Sequence, residues 1–188
     1  MKIIYKNKTT LIFFVTVICS GILSSFFYQK MYVEAENFKS SITLYKKNKF
    51  PKTALLQSDK NLTLSEVIKK GKKLIIYLDT ACSACKEEAE FLGEASELKK
   101  IGVDIILTGP DSIEDFNKFK ESYNFELPFF SDSSSEFRNK LKVTGTPTHF
   151  YIVNGNLEGS WMGIKPGSGI ELLQSKIQYI EKKQNKGV

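Results

Sequence analysis

A strand-length run of β-branched and aromatic residues, Leu74-Ile75-Ile76-Tyr77-Leu78, passes through Asp79-Thr80-Ala81 into Cys82-Ser83-Ala84-Cys85. A stretch of helix formers follows at once, Lys86-Glu87-Glu88-Ala89-Glu90-Phe91-Leu92. No other part of the chain restricts the fold as much, because the two cysteines sit on the seam between a strand and the first turn of a helix. That first turn leaves backbone N–H groups unpaired and carries the positive end of the helix dipole. Both favour a thiolate, so Cys82 is the expected nucleophile and Cys85, one turn further in, the expected resolving thiol. The pair is spaced to close a Cys82–Cys85 disulfide.

Other uses of this motif fit less well. A structural zinc needs four ligands. The remaining cysteine, Cys19, lies in an apolar run, and His149 is the single histidine. No metal or other cofactor is expected. A purely structural disulfide across so short a loop gains little chain entropy.

The rest of the globular part alternates strands and helices. Ala54–Gln57 reads as a short strand. Thr63 and Glu66 form a capping box for a helix that runs to Lys70 and stops at Gly71. After the strand Lys73–Leu78, a helix is expected with Cys85, Ala89, Leu92, Ala95, Leu98 and Ile101 inward and Glu87, Glu90, Glu94 and Lys99 outward, ending at Gly102. Val103–Leu107 is the next strand. Asp111 or Ser112 caps a helix whose apolar face is Phe116, Phe119 and Tyr123. Leu127–Phe130 is extended, and Asp132–Ser135 opens a brief helix through Phe137 and Leu141. Strand His149–Val153, turn Asn154-Gly155-Asn156 and strand Leu157–Met162 make a hairpin. A last helix, about Ser168 to Lys182, carries Leu172, Leu173, Ile177 and Ile180 on one face. This order predicts an α/β domain with a central mixed sheet flanked by helices on both faces.

The N-terminus is of another kind. Lys2, Lys6 and Lys8 precede an uncharged segment from Thr9 to Gln29. At roughly 20 residues it is long enough to cross a bilayer as one transmembrane helix. The lysines favour a cytoplasmic N-terminus, with the remainder outside. Two readings stand: an uncleaved signal anchor, which is favoured, or a signal peptide cut after Ala35, which would release a secreted protein. Cys19 is expected to lie in the membrane as an apolar residue. The expected organisation is residues 1–30 as anchor or signal peptide, 31–52 as linker or stalk, and 53–188 as the folded domain. The net charge of +6 comes from lysines spread along the chain, and nothing beyond it points to nucleic acid.

The strand–Cys82-Ser83-Ala84-Cys85–helix unit and Gly145-Thr146-Pro147-Thr148 before a hairpin, about 60 residues downstream, together resemble the thioredoxin-fold family. Within it the chain is most similar to the membrane-anchored, extracytoplasmic thiol–disulfide oxidoreductases of the TlpA/ResA type, over roughly Thr53 to Lys182. The resemblance implies a thioredoxin-like fold and a cis Pro147 against the sulfurs. It also implies that the Thr146 backbone pairs with an extended substrate segment. Several positions depart from the family pattern. Ala81 stands where a Trp is usual, Ser83-Ala84 where Pro or Gly-Pro is common, and Glu90 where a proline kinks the helix. Ile76 stands where cytoplasmic thioredoxins bury an acid, and Ser83 where ResA-type proteins often have Glu.

The implied activity is disulfide exchange with protein thiol or disulfide substrates. The expected direction is reductive, with a membrane electron-transfer partner to recharge the site. A dithiol oxidase and a non-catalytic docking module are the alternatives. A thiol peroxidase is disfavoured, because Asp79 occupies the third position before Cys82. Asp79 is expected to turn the loop, Lys86 to face water, Tyr77 and Phe150 to lie in the core, and Trp161 to pack.

Overall fold

A computed structural model describes residues 3–51, 63–163 and 169–186, with the side chains of residues 3–14, 46 and 47 outside the description. The chain divides into two units, Met1–Ser41 and Ile42–Val188.

The first unit is one helix, α1 (Ile3–Ser40), 38 residues long. Val15, Val17, Ile18, Ile22, Leu23, Phe26 and Phe27 are all exposed on it, as is Cys19. Over residues 15–28 these apolar side chains do not keep to one stripe, so this stretch has no single face to turn to a core, whereas Lys30, Glu34, Glu36 and Lys39 make the rest of the described helix polar. Among the described residues no helix is long and apolar enough to cross a membrane. The most apolar part of the expected transmembrane segment, residues 11–14, lies among the undescribed side chains.

The second unit is built on six strands: β1 (Ile42–Lys49), β2 (Lys72–Tyr77), β3 (Val103–Gly109), β4 (Phe129–Ser131), β5 (Thr148–Val153) and β6 (Asn156–Met162). They lie in the order β1-β6-β5-β2-β3-β4. β2 pairs parallel with β3, and β3 with β4; the β2–β5, β5–β6 and β1–β6 pairs are antiparallel. This is the mixed sheet of the thioredoxin-like fold, with β2 in its interior. β2 reads as a continuous apolar run because both of its faces are covered.

The helices are α2 (Leu64–Val67), α3 (Ser83–Leu92), α4 (Ser96–Lys100), α5 (Ile113–Ser122), α6 (Glu136–Lys140) and α7 (Ile170–Asn185). α2 and α6 bring Leu64 and Phe137 against Ile75, Tyr77, Ile106 and Phe150 on one face of the sheet. α3 and α7 cover the other face, where Glu88 meets His149 and Lys176 meets Trp161. The hairpin turn has Asn154 and Gly155 both at positive φ, the backbone that Asn-Gly favours between twisted strands.

The structure corrects the sequence reading in several places. Residues 31–52 are not a stalk throughout: α1 continues to Ser40, and Ile42–Lys49 is an edge strand paired with β6. Ile42 and Phe50 are buried at its two ends, and the Tyr45 hydroxyl meets Ser160 Oγ at 3.1 Å. The folded unit therefore begins at Ile42 rather than at residue 53. Its many lysines hid the strand, although charge is a usual device for keeping an edge from pairing further. The helix after Thr63 ends at Val67, short of Lys70. The helix expected to run from the cysteines to Gly102 breaks at Gly93 into α3 and α4, leaving Ala95 and Ile101 half-buried. The expected strand Ala54–Gln57 lies outside the described residues.

Candidate active site

Cys82 is the N-cap of α3, with extended backbone at φ −77 and ψ 127. The loop that delivers it is tightly fixed. Asp79 Oδ1 accepts the Ala81 N–H at 2.9 Å, so Asp79 turns the chain, and the Cys82 N–H donates to the Asp79 carbonyl at 3.0 Å. Thr80 donates from its N–H and its hydroxyl to the Asp111 carboxylate, at 3.1 and 2.6 Å. Behind the loop, Gly109 passes so near the Leu78 carbonyl that a Cβ would lie 2.1 Å from the oxygen. No side chain fits there, and the close approach holds the end of β2 against β3.

The structure brings the four sequence-derived site residues together. Both cysteines are thiols. Cys82 is half-buried, and its Sγ lies 3.4 Å from the Thr146 carbonyl oxygen. The Thr146–Pro147 peptide is cis, and the Pro147 carbonyl accepts the Gly163 N–H at 2.7 Å. Cys85 is fully buried, with its Sγ 3.5 Å from the Asp79 N–H. Lys86 is exposed.

The two thiols are driven apart in acidity. Partial burial pushes the Cys82 thiol up, but it is outweighed by hydrogen bonds from the Thr146 side chain, from the Cys85 backbone and thiol, and from the Ala84 backbone. The net result lies below the usual thiol value. The helix-start N–H groups expected from the sequence contribute through the Cys85 and Ala84 backbone, behind the larger hydrogen bond from the Thr146 side chain. Burial pushes the Cys85 thiol up to about 12, against the opposing hydrogen bond from the Asp79 backbone. One sulfur is thus a half-buried thiol of raised acidity, and the other a fully sheltered thiol.

Three further residues shape the surroundings. Met162 is exposed on β6, and its sulfur accepts from the Thr144 hydroxyl at 3.7 Å beside the Thr146 loop. Glu88 and His149 are both fully buried, with His149 Nε2 and Glu88 Oε1 2.7 Å apart. The sequence reading left Glu88 unassigned. Its spacing, three residues after Cys85 on an amphipathic helix, is the signal that puts it inward. Trp161 packs as expected, with its ring 4.7 Å from that of His149 and within 7° of parallel. Among the described residues no group of three or more His, Cys, Asp or Glu could hold a metal ion.

Comparison with known proteins places this arrangement. The model of the AhpC/TSA family matches residues 47–160. The structure is similar to that of a Chlorobium tepidum protein described as a candidate thiol:disulfide interchange protein DsbE, with a TM-score of 0.60 and 20% identity over 73% of this chain and 99% of that one. It is similar to StoA of Bacillus subtilis, at 0.54 and 17%, covering 68% and 96%. It is also similar to a mutant of PrxQ from Xylella fastidiosa, at 0.57 and 13%, covering 78% and 99%. Among curated proteins no significant match is found.

Proposed function

Because this chain belongs to the AhpC/TSA family and is a thioredoxin-like oxidoreductase, we propose that it exchanges disulfides with protein substrates through Cys82 and Cys85. The observation that carries this reading is the division of labour between the sulfurs: Cys82 at the mouth of α3 with a lowered pKa, and Cys85 buried behind it. In the reductive direction the Cys82 thiolate attacks one sulfur of a substrate disulfide. The other substrate sulfur leaves as a thiolate and takes a proton. Cys85 then loses its proton and attacks Cys82 Sγ, closing the Cys82–Cys85 disulfide and releasing the second substrate thiol. Two electrons pass to the substrate, and an external dithiol must return them.

Thr146 and Pro147 form the substrate-facing wall in this reading. An extended substrate segment pairs with the Thr146 backbone, and the exposed Met162 gives it an apolar rim. The reductive direction, rather than oxidation, follows the resemblance to TlpA/ResA-type proteins. So does an extracytoplasmic position, with α1 as tether and a membrane partner as electron source. The uncharged segment Thr9–Gln29 and the apolar residues exposed all round α1 over residues 15–28 support that position.

The test is a redox titration of the full-length chain against glutathione, with Cys82 alkylation followed as a function of pH. The expected outcome is a reversible two-electron couple near the thioredoxin potential, with Cys82 reacting at mildly acidic pH. Cys85→Ser should trap a mixed disulfide with substrate, and Cys82→Ser should abolish exchange. A Cys82 that reacts only in strong alkali overturns the reading in favour of a docking module. Consumption of peroxide in place of disulfide exchange overturns it in favour of a peroxidase.

A further inference from the structure

Besides the Cys85 thiol and the Tyr77 and Tyr151 hydroxyls, four ionisable side chains of the described core are buried: Glu88, Asp132, His149 and Lys176. Asp132 uses both oxygens on backbone N–H groups, and Lys176 on α7 lies over Trp161, with its Nζ 5.5 Å from the ring centroid. Glu88 and His149 are different. They meet at 2.7 Å with neither side chain exposed, yet Glu88 Oε2 and His149 Nδ1 have no partner among the described residues. A buried polar atom without a partner costs stability, so two in one pair call for a reason. With Nε2–H donating to Oε1, the neutral imidazole leaves Nδ1 as a vacant base, and Oε2 is a vacant carboxylate oxygen. The pair has room for a proton.

Its position gives that room a use. Glu88 follows Cys85 by three residues on α3, which puts the two on one helix face. His149 lies on β5 directly across from Ile76 of β2, two residues after Pro147. The Cys85 sulfur is otherwise met by the Asp79 N–H, the Thr146 side chain and the Cys82 thiol, none of which is a base. The Asp79 carboxylate is turned to the Ala81 N–H.

We propose that Glu88 and His149 are the proton store of the Cys82–Cys85 couple. They take the proton that the Cys85 thiol gives up as the disulfide closes, and return it when the disulfide opens. The inference rests on the disulfide-exchange reading above. In the closing step the Cys85 S–H bond breaks and its proton goes to the pair. The Cys85 electron pair forms the bond to Cys82 Sγ, and the substrate sulfur leaves with the electrons of the mixed disulfide. A carboxylate and neutral imidazole that gain one proton become neutral as a unit, which suits a site with no water-facing surface. Trp161 from β6 stacks on the His149 ring, Lys176 from α7 lies over that indole, and Cys85 shares the buried face of α3 with Glu88; Asp79, Cys82 and Thr146 are the groups that act on the Cys85 sulfur.

The chain's single histidine and single tryptophan make the test direct. The pH titration of the His149 ring is followed by nitrogen-15 NMR in the full chain, once as the dithiol and once as the Cys82–Cys85 disulfide. The ring's titration is expected to shift between the two forms, as for coupled sites. The shift should persist in Lys176→Met. Equal midpoints in both redox forms overturn the proposal, as does a shift that disappears in Lys176→Met. Failure of the disulfide to form or to be reduced by dithiothreitol would instead overturn the disulfide-exchange reading itself.

A second measurement uses Glu88→Gln, which keeps the shape and removes the charge. Its Cys82 alkylation rate should stay at the wild-type value, while resolution of a Cys82 mixed disulfide by Cys85 slows roughly tenfold to a hundredfold and loses its pH dependence. An unchanged resolution profile in Glu88→Gln and in His149→Gln counts against the store.

Discussion

On one face of β2, Asp132 is fully buried and fully occupied. Its carboxylate accepts the N–H groups of Phe137 and Arg138 at 2.9 and 3.0 Å and the Tyr77 hydroxyl at 3.2 Å. On the opposite face, Glu88 is equally buried but among the described residues its side chain has one hydrogen bond, to His149, whose Nδ1 likewise has no hydrogen-bond partner there. Both are carboxylates in the interior of one sheet. Asp132 holds the start of α6 to the end of β2, and burial together with its charge drives the Tyr77 hydroxyl well above its ordinary pKa. A saturated carboxylate is a clamp. A carboxylate with spare capacity, one helical turn from a sulfur, is a place where charge can change. Buried ionisable groups are therefore sorted by unspent hydrogen-bonding capacity more than by burial.

The strongest way to test the contrast is through the sulfur itself. Folding holds Cys85 as a thiol to about pH 12, whereas the unfolded chain gives up that proton near 9.0. The fold's preference is thus fully present below pH 9 and is lost as the pH rises from there toward 12. Comparing reduced wild type with Cys85→Ala in urea unfolding across this window isolates the effect. The wild type should lose up to about 4 kcal/mol relative to the variant. A difference that is flat with pH would mean that Cys85 is not sheltered, and the sulfur face would then resemble any solvated surface.

Next come the two isosteric amides. Asp132→Asn swaps an acceptor for an NH2 group in a pocket lined by three donors, and should cost about 3 kcal/mol. Glu88→Gln leaves an oxygen for His149 Nε2–H and turns its new NH2 toward the side where Oε2 had no partner, so about 1 kcal/mol or less is expected. Urea midpoints at constant m-value measure both. Equal costs would erase the distinction between clamp and store.

The same contrast explains what the sequence could and could not disclose. The strand–Cys-x-x-Cys–helix seam, the Asn154-Gly155 turn and the apolar face of α7 are local patterns, and each was readable because neighbours in sequence decide it. So was the capping box, in which Thr63 donates to Glu66 from its N–H at 3.1 Å and its hydroxyl at 2.7 Å. β1 escaped because its partner, β6, lies more than 100 residues away and only that pairing makes a lysine-rich segment a strand. Glu88 and Asp132 escaped for a related reason. Residue type predicts an exposed acid, and the partners that permit burial are 61 and 55 residues distant in sequence, at His149 and Tyr77. Long-range polar pairing is the part of a fold that periodicity does not carry.

The smallest effect probes the outer edge of the Glu88 side. Burial lowers the Lys176 ammonium to about 8, although its Nζ lies over the Trp161 ring whose other neighbour is His149. A lysine with a depressed folded pKa costs stability wherever it must be charged. That penalty grows as the pH falls from 10.5 through about 8 and is then constant. Lys176→Met keeps the stem and removes the charge; the charge penalty of roughly 3 kcal/mol is offset by the lost contact with the Trp161 ring, roughly 2 kcal/mol, so it should stabilise the protein at pH 7 by about 1 kcal/mol. The gain should vanish above pH 10.5, where lysine is neutral in both states. Combined with Glu88→Gln, the two changes should be additive if Trp161 only separates them. A coupling energy beyond about 0.5 kcal/mol would mean that the charge on α7 is felt through the indole and imidazole stack. That would count against a store made of Glu88 and His149 alone, and the line between the helix that carries the sulfurs and the helix that closes the fold would have to be redrawn.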